Sequence, residues 1–383
     1  MTARVLFHVQ HLLGSGHLRR AAAIASALAD AGFEVELVSG GFPVRDLDCG
    51  AARLIQLPPA RAADESFKTL LGERGAPVDD AWRTARREAL LARFEAFAPD
   101  VVITELFPLG RRVLSFELVP LLEAAHHRAP RPLILASVRD VLARKDDQRK
   151  TAEMIARVHA WYDHVLVHGD PALLPLGASF PEARIAGRVV YTGYVGGPAK
   201  PAPPGGEGEG EVIVSVGGGA VGARLLEAAV VARPLSAAGN RPWRLLLGAD
   251  LPTDARERLQ GAADAGCIVE PARRDFPGLL ARCHVSVSQA GYNTVMDVLT
   301  ARARAVLVPF AAANETEQSV RANALARRGW AVVCDEAGLT APILAAAIDR
   351  AAALERPDAS ALRRDGARET ARRVSEWLVR RRA

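Results

Sequence analysis

The chain has 383 residues, 49% apolar and 24% charged, with a net charge of +5. That length exceeds one ordinary core and suits two domains. The modest charge and an aromatic content of 5% exclude a polybasic nucleic-acid binder with stacking platforms, while anionic ligands stay welcome.

In chain order, the first predicted strand is RVLFHVQ (4–10). GSGHLRRA (14–21) follows, and AAAIASALADAG reads as a helix ending at Gly32. Further strands are EVELVSG (34–40), DVVITEL (100–106), PLILASV (132–138) and HVLVHG (164–169). FPLGRRVLSFELVPLLEAAHHR (107–128) reads as a packed helix, and the Asp46–Asp48 pair as a loop. The composition then breaks at GGPAKPAPPGGEGEG (196–210), the best domain boundary in the chain. The strand pattern restarts with EVIVSVGGG (211–219), WRLLLGA (243–249), CIVEP (267–271), VSVSQAG (285–291), AVLVPF (305–310) and AVVCDE (331–336).

Apolar strands alternating with helices imply parallel sheets covered on both faces. The expected fold is therefore α/β, with two doubly wound Rossmann-like domains facing across a cleft. The expected division is a domain over 1–196, a linker over 197–210, a domain over 211–358, and a helix over 359–383. Leu362, Val374 and Leu378 would dock that helix back on the first domain.

Scattered cysteines (Cys49, Cys267, Cys283, Cys334) without a CxxC pair point to a reduced, cytoplasmic setting. MTARVLFHV enters a strand directly, so no secretory leader is expected, and no apolar run is long enough to span a bilayer. No metal-ligand cluster stands out, and neither a metal nor a cofactor is expected.

Three stretches carry chemistry. In VSVGGGAVG, Gly217, Gly218 and Gly219 join a strand to a helix, where close backbone approach and free N–H groups suit a diphosphate. The bland alternative is a tight turn. It is not a dinucleotide fingerprint, because no acid follows at the right distance; Asp250 comes some thirty residues on. In SQAGYNTVMD, Gln289 and Gly291 precede a helix carrying Asn293 and Thr294 in its first turn and Asp297 one turn on. A carboxylate at Asp297 can accept both hydroxyls of a ribose. Glu317 and Gln318 open a later helix and can meet sugar hydroxyls; the alternative for Asp297 and Glu317 is charge complementing a helix start. In the loop Gly14, Ser15, Gly16, His17, the imidazole stands at a helix N-terminus, whose dipole favours the neutral form a general base needs. Glu105, Arg139 and Asp140 lie at strand ends of the same half, with Arg111 and Arg112 nearby. Glu105 is the alternative base, and a structural ion pair is the alternative role for each.

These motifs, in this order, resemble family 28 glycosyltransferases of the GT-B fold, the family of peptidoglycan-precursor N-acetylglucosaminyltransferases. The resemblance runs from about Asp275 to Val333 and takes in the strand–glycine–helix at 211–233. It implies that Gly291 opens the donor helix, that Asp297 (Glu in the family) binds ribose, and that Glu317 and Gln318 stand for the family's paired Gln facing the donor sugar. It places Phe276 near the base and Arg273 or Arg274 near the diphosphate. The family's first glycine loop ends in His, which His17 matches with one glycine pair lost. The implied activity is inverting transfer of a sugar, from a UDP-linked donor, to a small-molecule or lipid-linked acceptor. The basic tail RRVSEWLVRRRA would suit peripheral contact with a membrane surface at the inner face. GSGHLRRA is also similar to the Gly-x-Gly-His-x-x-Arg opening of a nucleotide-sugar hydrolase of this fold, with Arg20 as its arginine. A non-catalytic protein that binds nucleotide sugars is the third reading.

Overall fold

The computed structural model describes residues 2–64, 67–142, 147–196, 205–216, 222–248, 251–310 and 316–382. The chain divides into two compact units: residues 1–195 with 363–383, and residues 196–362.

In the first unit the elements are β1 (Arg4–Val9), α1 (Gly16–Asp30), β2 (Glu34–Ser39), β3 (Arg53–Gln56), β4 (Arg61–Ala62), β5 (Leu70–Leu71), α2 (Asp80–Phe97), β6 (Val101–Glu105), α3 (Ser115–His127), β7 (Leu133–Arg139), α4 (Gln148–Trp161), β8 (His164–His168) and β9 (Val189–Tyr191). Seven strands form one parallel sheet in the order β3-β2-β1-β6-β7-β8-β9, and β4 and β5 pair separately as a short antiparallel ribbon. Strand residues alternate between two cores. Leu6, Val102, Ile134 and Val165 pack with residues of α2, α3 and α4. Val5, Phe7, Ile103 and Leu135 pack with α1 and with Ala371 and Val374 near the C-terminus.

The second unit runs β10 (Val212–Ser215), α5 (Ala223–Ala232), β11 (Trp243–Leu247), α6 (Thr253–Gly261), β12 (Cys267–Pro271), α7 (Phe276–Arg282), β13 (Val285–Ser288), α8 (Tyr292–Thr300), β14 (Ala305–Leu307), α9 (Glu317–Ala326), β15 (Val332–Val333) and α10 (Ala341–Ala352). Its parallel sheet has the order β12-β11-β10-β13-β14-β15. Val212, Val214, Val285 and Val287 face a core shared with α5 and α10.

The last helix, α11 (Gly366–Arg382), belongs to the first unit. It starts seven residues later than the sequence reading of 359 placed it. The segment before it is held by backbone bonds instead: Tyr194 donates to the Arg363 carbonyl (2.8 Å) and Gly366 donates to Tyr194 (3.0 Å). Val374 is fully buried, Leu378 packs beside it, and Trp377 stacks on His164 at 4.0 Å between ring centroids. Leu362, also buried, falls in the second unit. Residues 107–128 give the packed α3, with Leu118, Leu121, Leu122 and Ala125 buried. Among the described residues no helix is long and apolar enough to cross a membrane.

A buried ion pair fixes the loop that leaves β1. Arg86 donates to both Glu117 oxygens (2.6 and 2.8 Å), to the Gly40 carbonyl (2.9 Å) and to Gln10 Oε1 (2.5 Å). Gln10 in turn donates to the Ala60 carbonyl (2.9 Å). Every partner is satisfied, as a buried charge requires.

Candidate active site

In the first sheet, β1 lies between β2 and β6, and the chain winds outward in opposite directions from that pair. Such a switch point opens a crevice at the carboxyl ends of the strands. The turn after β1 and the last residue of β6 meet there. Gly14 adopts φ +71°, a left-handed conformation that a side chain disfavours. The next residues carry the chain into α1, so His17 occupies the second position of that helix. Glu105 is the last residue of β6 and is 1% exposed.

His17 Nδ1 stands 2.7 Å from Glu105 Oε1. An ionised carboxylate only accepts, so Nδ1 carries the proton and Nε2 presents its lone pair. Arg20, one turn along α1, also pairs with Glu105 Oε1. Arg139, the last residue of β7, directs Nη2 at His17 Nε2 from 2.9 Å. Burial holds the His17 imidazole far below its ordinary range, at about 3, and the positive charges of Arg139 and Arg111 add to that against the pull of Glu105. Burial, rather than the helix dipole, is the main cause. For Glu105, burial alone would push the carboxyl up, but His17 and Arg20 outweigh it and bring it to about 2. Glu105 therefore stays ionised at neutral pH. Its Oε1 is taken up by His17 Nδ1 and Arg20, the arrangement of a carboxylate that orients an imidazole.

Gly14, Ser15, Gly16, His17, Arg20, Glu105, Arg139 and Asp140 thus lie on or just after β1, β6 and β7, at one edge of one sheet. Ser15 Oγ accepts from Arg19 Nε (3.3 Å), and Asp140, fully buried, accepts from the Val141 amide (2.9 Å). Sequence reasoning missed two histidines. His11, 8% exposed, sits just past β1, and a Cβ on Gly41 would lie 2.3 Å from its ring. His168, fully buried at the end of β8, has Ser137 Oγ 2.8 Å from Nε2 and Thr192 Oγ1 2.8 Å from Nδ1. Burial sets its pKa low, at about 3. Their one legible signal was position, at the carboxyl ends of strands.

The second sheet has its switch point between β10 and β13. Gly217, Gly218 and Gly219, after β10, lie outside the described residues, as does Asp250. After β13 come Gln289 and Ala290, and Gly291 caps α8, which carries Asn293, Thr294 and Asp297. Gln289 is 8% exposed, and its Nε2 has no hydrogen-bond partner. Burial alone raises the Asp297 carboxyl to about 7. Gln318 is committed to the fold through one oxygen: its Oε1 accepts from Ala290 (3.0 Å) and Phe310 (3.1 Å). Arg321 Nη1 donates to the Ala290 carbonyl (2.9 Å), so α9 clamps the turn after β13. Glu317 is buried beside Gln318 at the start of α9. Phe276 opens α7, half-buried. Arg273 does not stand ready for a diphosphate, because its guanidinium is held by Asp275 (2.7 and 2.8 Å) and Glu207 (2.6 Å).

Residues 213–374 match the glycosyltransferase family 28 C-terminal domain. The chain is similar to a UDP-N-acetylglucosamine–N-acetylmuramyl-(pentapeptide) pyrophosphoryl-undecaprenol N-acetylglucosamine transferase of Rhodospirillum centenum, 33% identical over 36% of this chain and 37% of that protein. The protein of the same name from Sinorhizobium fredii is 27% identical over 93% of this chain and 88% of its own length. The chain spans less than half the length of the first curated relatives it matches. Among solved structures, MurG of Acinetobacter baumannii superposes with a TM-score of 0.60 at 16% identity, covering 98% of this chain and 99% of that one.

Proposed function

We propose that the chain is a family 28-like glycosyltransferase of the GT-B fold, inverting and metal-independent, that uses a nucleoside-diphosphate sugar. The relatives' names support a UDP-linked donor and a lipid-linked acceptor. In this reading the second unit holds the donor. Asp297 accepts the ribose hydroxyls, Gln289 offers its unpartnered amide, and the Gly217–Gly219 turn stabilises the departing diphosphate. The first unit brings the acceptor hydroxyl to His17. Its oxygen bonds to the anomeric carbon as the bond from that carbon to the diphosphate oxygen breaks. The hydroxyl proton passes to His17 Nε2, and the nucleoside diphosphate leaves with the electron pair. Glu105 keeps the Nδ1–H tautomer and stabilises the imidazolium that forms. A site at the cytoplasmic face of a membrane would fit a lipid-linked acceptor.

The observation that carries this is the buried His17, neutral and tied through Nδ1 to Glu105 at 2.7 Å, at a sheet switch point. His17→Gln should lower transfer by about 10²–10⁴-fold with nucleotide affinity kept; unchanged turnover would remove the base assignment. The hydrolase reading draws support from Arg20, the arginine of Gly-x-Gly-His-x-x-Arg, which pairs with Glu105. Stoichiometric release of free sugar, with no acceptor supplied, would favour it.

A further inference from the structure

The turn that leaves β6, directly after Glu105, is strained and closely braced. The Phe107 amide donates to the Glu105 carbonyl (2.9 Å), and Leu106 between them has φ +64°. A γ-turn with positive φ at its centre is the rare, strained hand, and a bulky central residue makes it costlier. Strain of this kind persists only where the surroundings over-determine it. Three contacts do so here. The Leu106 amide donates to the Ser137 carbonyl of β7 (2.8 Å). The Leu106 side chain packs against Gly110, where a Cβ would lie 2.7 Å from Leu106 Cγ. Thr104 Oγ1 donates to the Phe107 carbonyl (2.9 Å) and has Tyr162 OH at 2.8 Å. Thr104 has one hydroxyl proton, spent on that carbonyl, so Tyr162 is the donor in the second bond.

Tyr162, fully buried, follows α4 and shares the apolar core of Phe107, Met154, Ile155 and Val158. A phenylalanine would fill that place with no polar atom to satisfy. The hydroxyl instead braces the turn that carries Glu105. Thr104 and Glu105 are successive strand residues, so their side chains point to opposite faces of the sheet. Tyr162 and Thr104 therefore act on Glu105 from the far face, through the backbone.

We propose that Tyr162 is a positioning residue: through Thr104 it locks the Leu106 turn and so holds Glu105 at hydrogen-bond distance from His17 Nδ1. The inference rests on the transferase reading for the role of His17. It adds the side chains that set the aim of the carboxylate. Such aim matters, because a misplacement of about 1 Å can cost about 10²-fold in rate.

The test is proton–nitrogen NMR of the ¹⁵N-histidine-labelled full chain at neutral pH, with no substrate added. The wild-type chain should show His17 as the Nδ1–H tautomer, with that proton protected from solvent. Tyr162→Phe, which removes one hydroxyl, should speed exchange of that proton by about tenfold or more and move the Nδ1 resonance. Thr104→Val should do the same, and Thr104→Ser, which keeps the hydroxyl, should keep the wild-type signals. The double variant Tyr162→Phe with Thr104→Val should be no worse than the stronger single one, because both break one chain of hydrogen bonds. Leu122→Ala, on α3 in the same core, lowers stability without touching that chain and should leave the His17 signals unchanged. If Tyr162→Phe fails to fold, the contrast between Thr104→Val and Thr104→Ser carries the test. Wild-type His17 signals in Tyr162→Phe or in Thr104→Val, or an equal change in Leu122→Ala, would overturn the proposal. Failure of the transferase reading shows separately, as absence of UDP binding that depends on Asp297.

Discussion

Glu105 Oε1 and His17 Nδ1, 88 residues apart in sequence, meet at 2.7 Å where the first sheet switches direction. The contact decides the tautomer of the histidine, and Arg20 holds the carboxylate from the other side. Glu105→Gln keeps the shape but not the charge. It should cut the transfer rate by about 10²–10⁴-fold, with nucleotide affinity within about twofold. A rate within threefold of wild type would mean that the carboxylate does not orient the base.

Acid should destabilise the first unit through its buried histidines. His17 and His168 both titrate at about 3 in the folded chain, below the ordinary value of 6.5. A depressed histidine pKa means that the unfolded chain binds the proton more readily. The stability is therefore present above about 6.5 and is lost as pH falls toward 3, by about 1.4 kcal/mol per pH unit for each histidine. Urea unfolding between pH 6 and pH 5 measures the slope, and His168→Gln should lower it by about 1 kcal/mol per pH unit. An unchanged slope in that variant would contradict the assignment.

Asp297 works in the opposite sense. Burial raises its carboxyl to about 7, so the folded chain holds the proton through a range where the unfolded chain has lost it. That contribution is fully present below the ordinary carboxyl range and is lost as pH rises through 7. Asp297→Asn should therefore stabilise the ligand-free protein at pH 8 by about 1 kcal/mol or more while abolishing the response to nucleotide. A lower melting point together with intact nucleotide binding would show that Asp297 serves the fold.

The C-terminal helix should matter to the first unit although it follows the whole of the second. Val374 is fully buried against the strand face that α1 covers. Val374→Ala should cost about 1–3 kcal/mol, read by chemical denaturation of the full chain. A change below about 0.3 kcal/mol would mean that α11 is not part of that core.

Much of this was legible because parallel strands buried on both faces write themselves as unbroken apolar runs. VVITE and VSVS are fully buried, and both fall within the expected strands. β3 (RLIQ) escaped notice because it is an edge strand with two charged or polar ends and mostly exposed side chains. Glycine signals located the turn before His17, since Gly14 needs its left-handed conformation. Pairing was less legible. Nothing in the sequence says that Gln318 spends its oxygen on the Ala290 and Phe310 amides, or that Arg273 is enclosed by carboxylates. Those are long-range contacts between side chain and backbone, and they leave no local pattern. The two overlooked histidines, His11 and His168, look like ordinary strand-end residues until folding buries them within electrostatic reach of Arg111 and Arg20.

The most direct measurement is the thermal stability of the full chain with and without UDP, beside Asp297→Ala. At a hundred times its dissociation constant, a ligand of the folded state adds about 2.7 kcal/mol, a clear rise in melting temperature. The account predicts that rise for the wild-type chain and none for Asp297→Ala. No rise with UDP or with any other nucleoside diphosphate would contradict a nucleotide-sugar donor, and the transferase assignment with it.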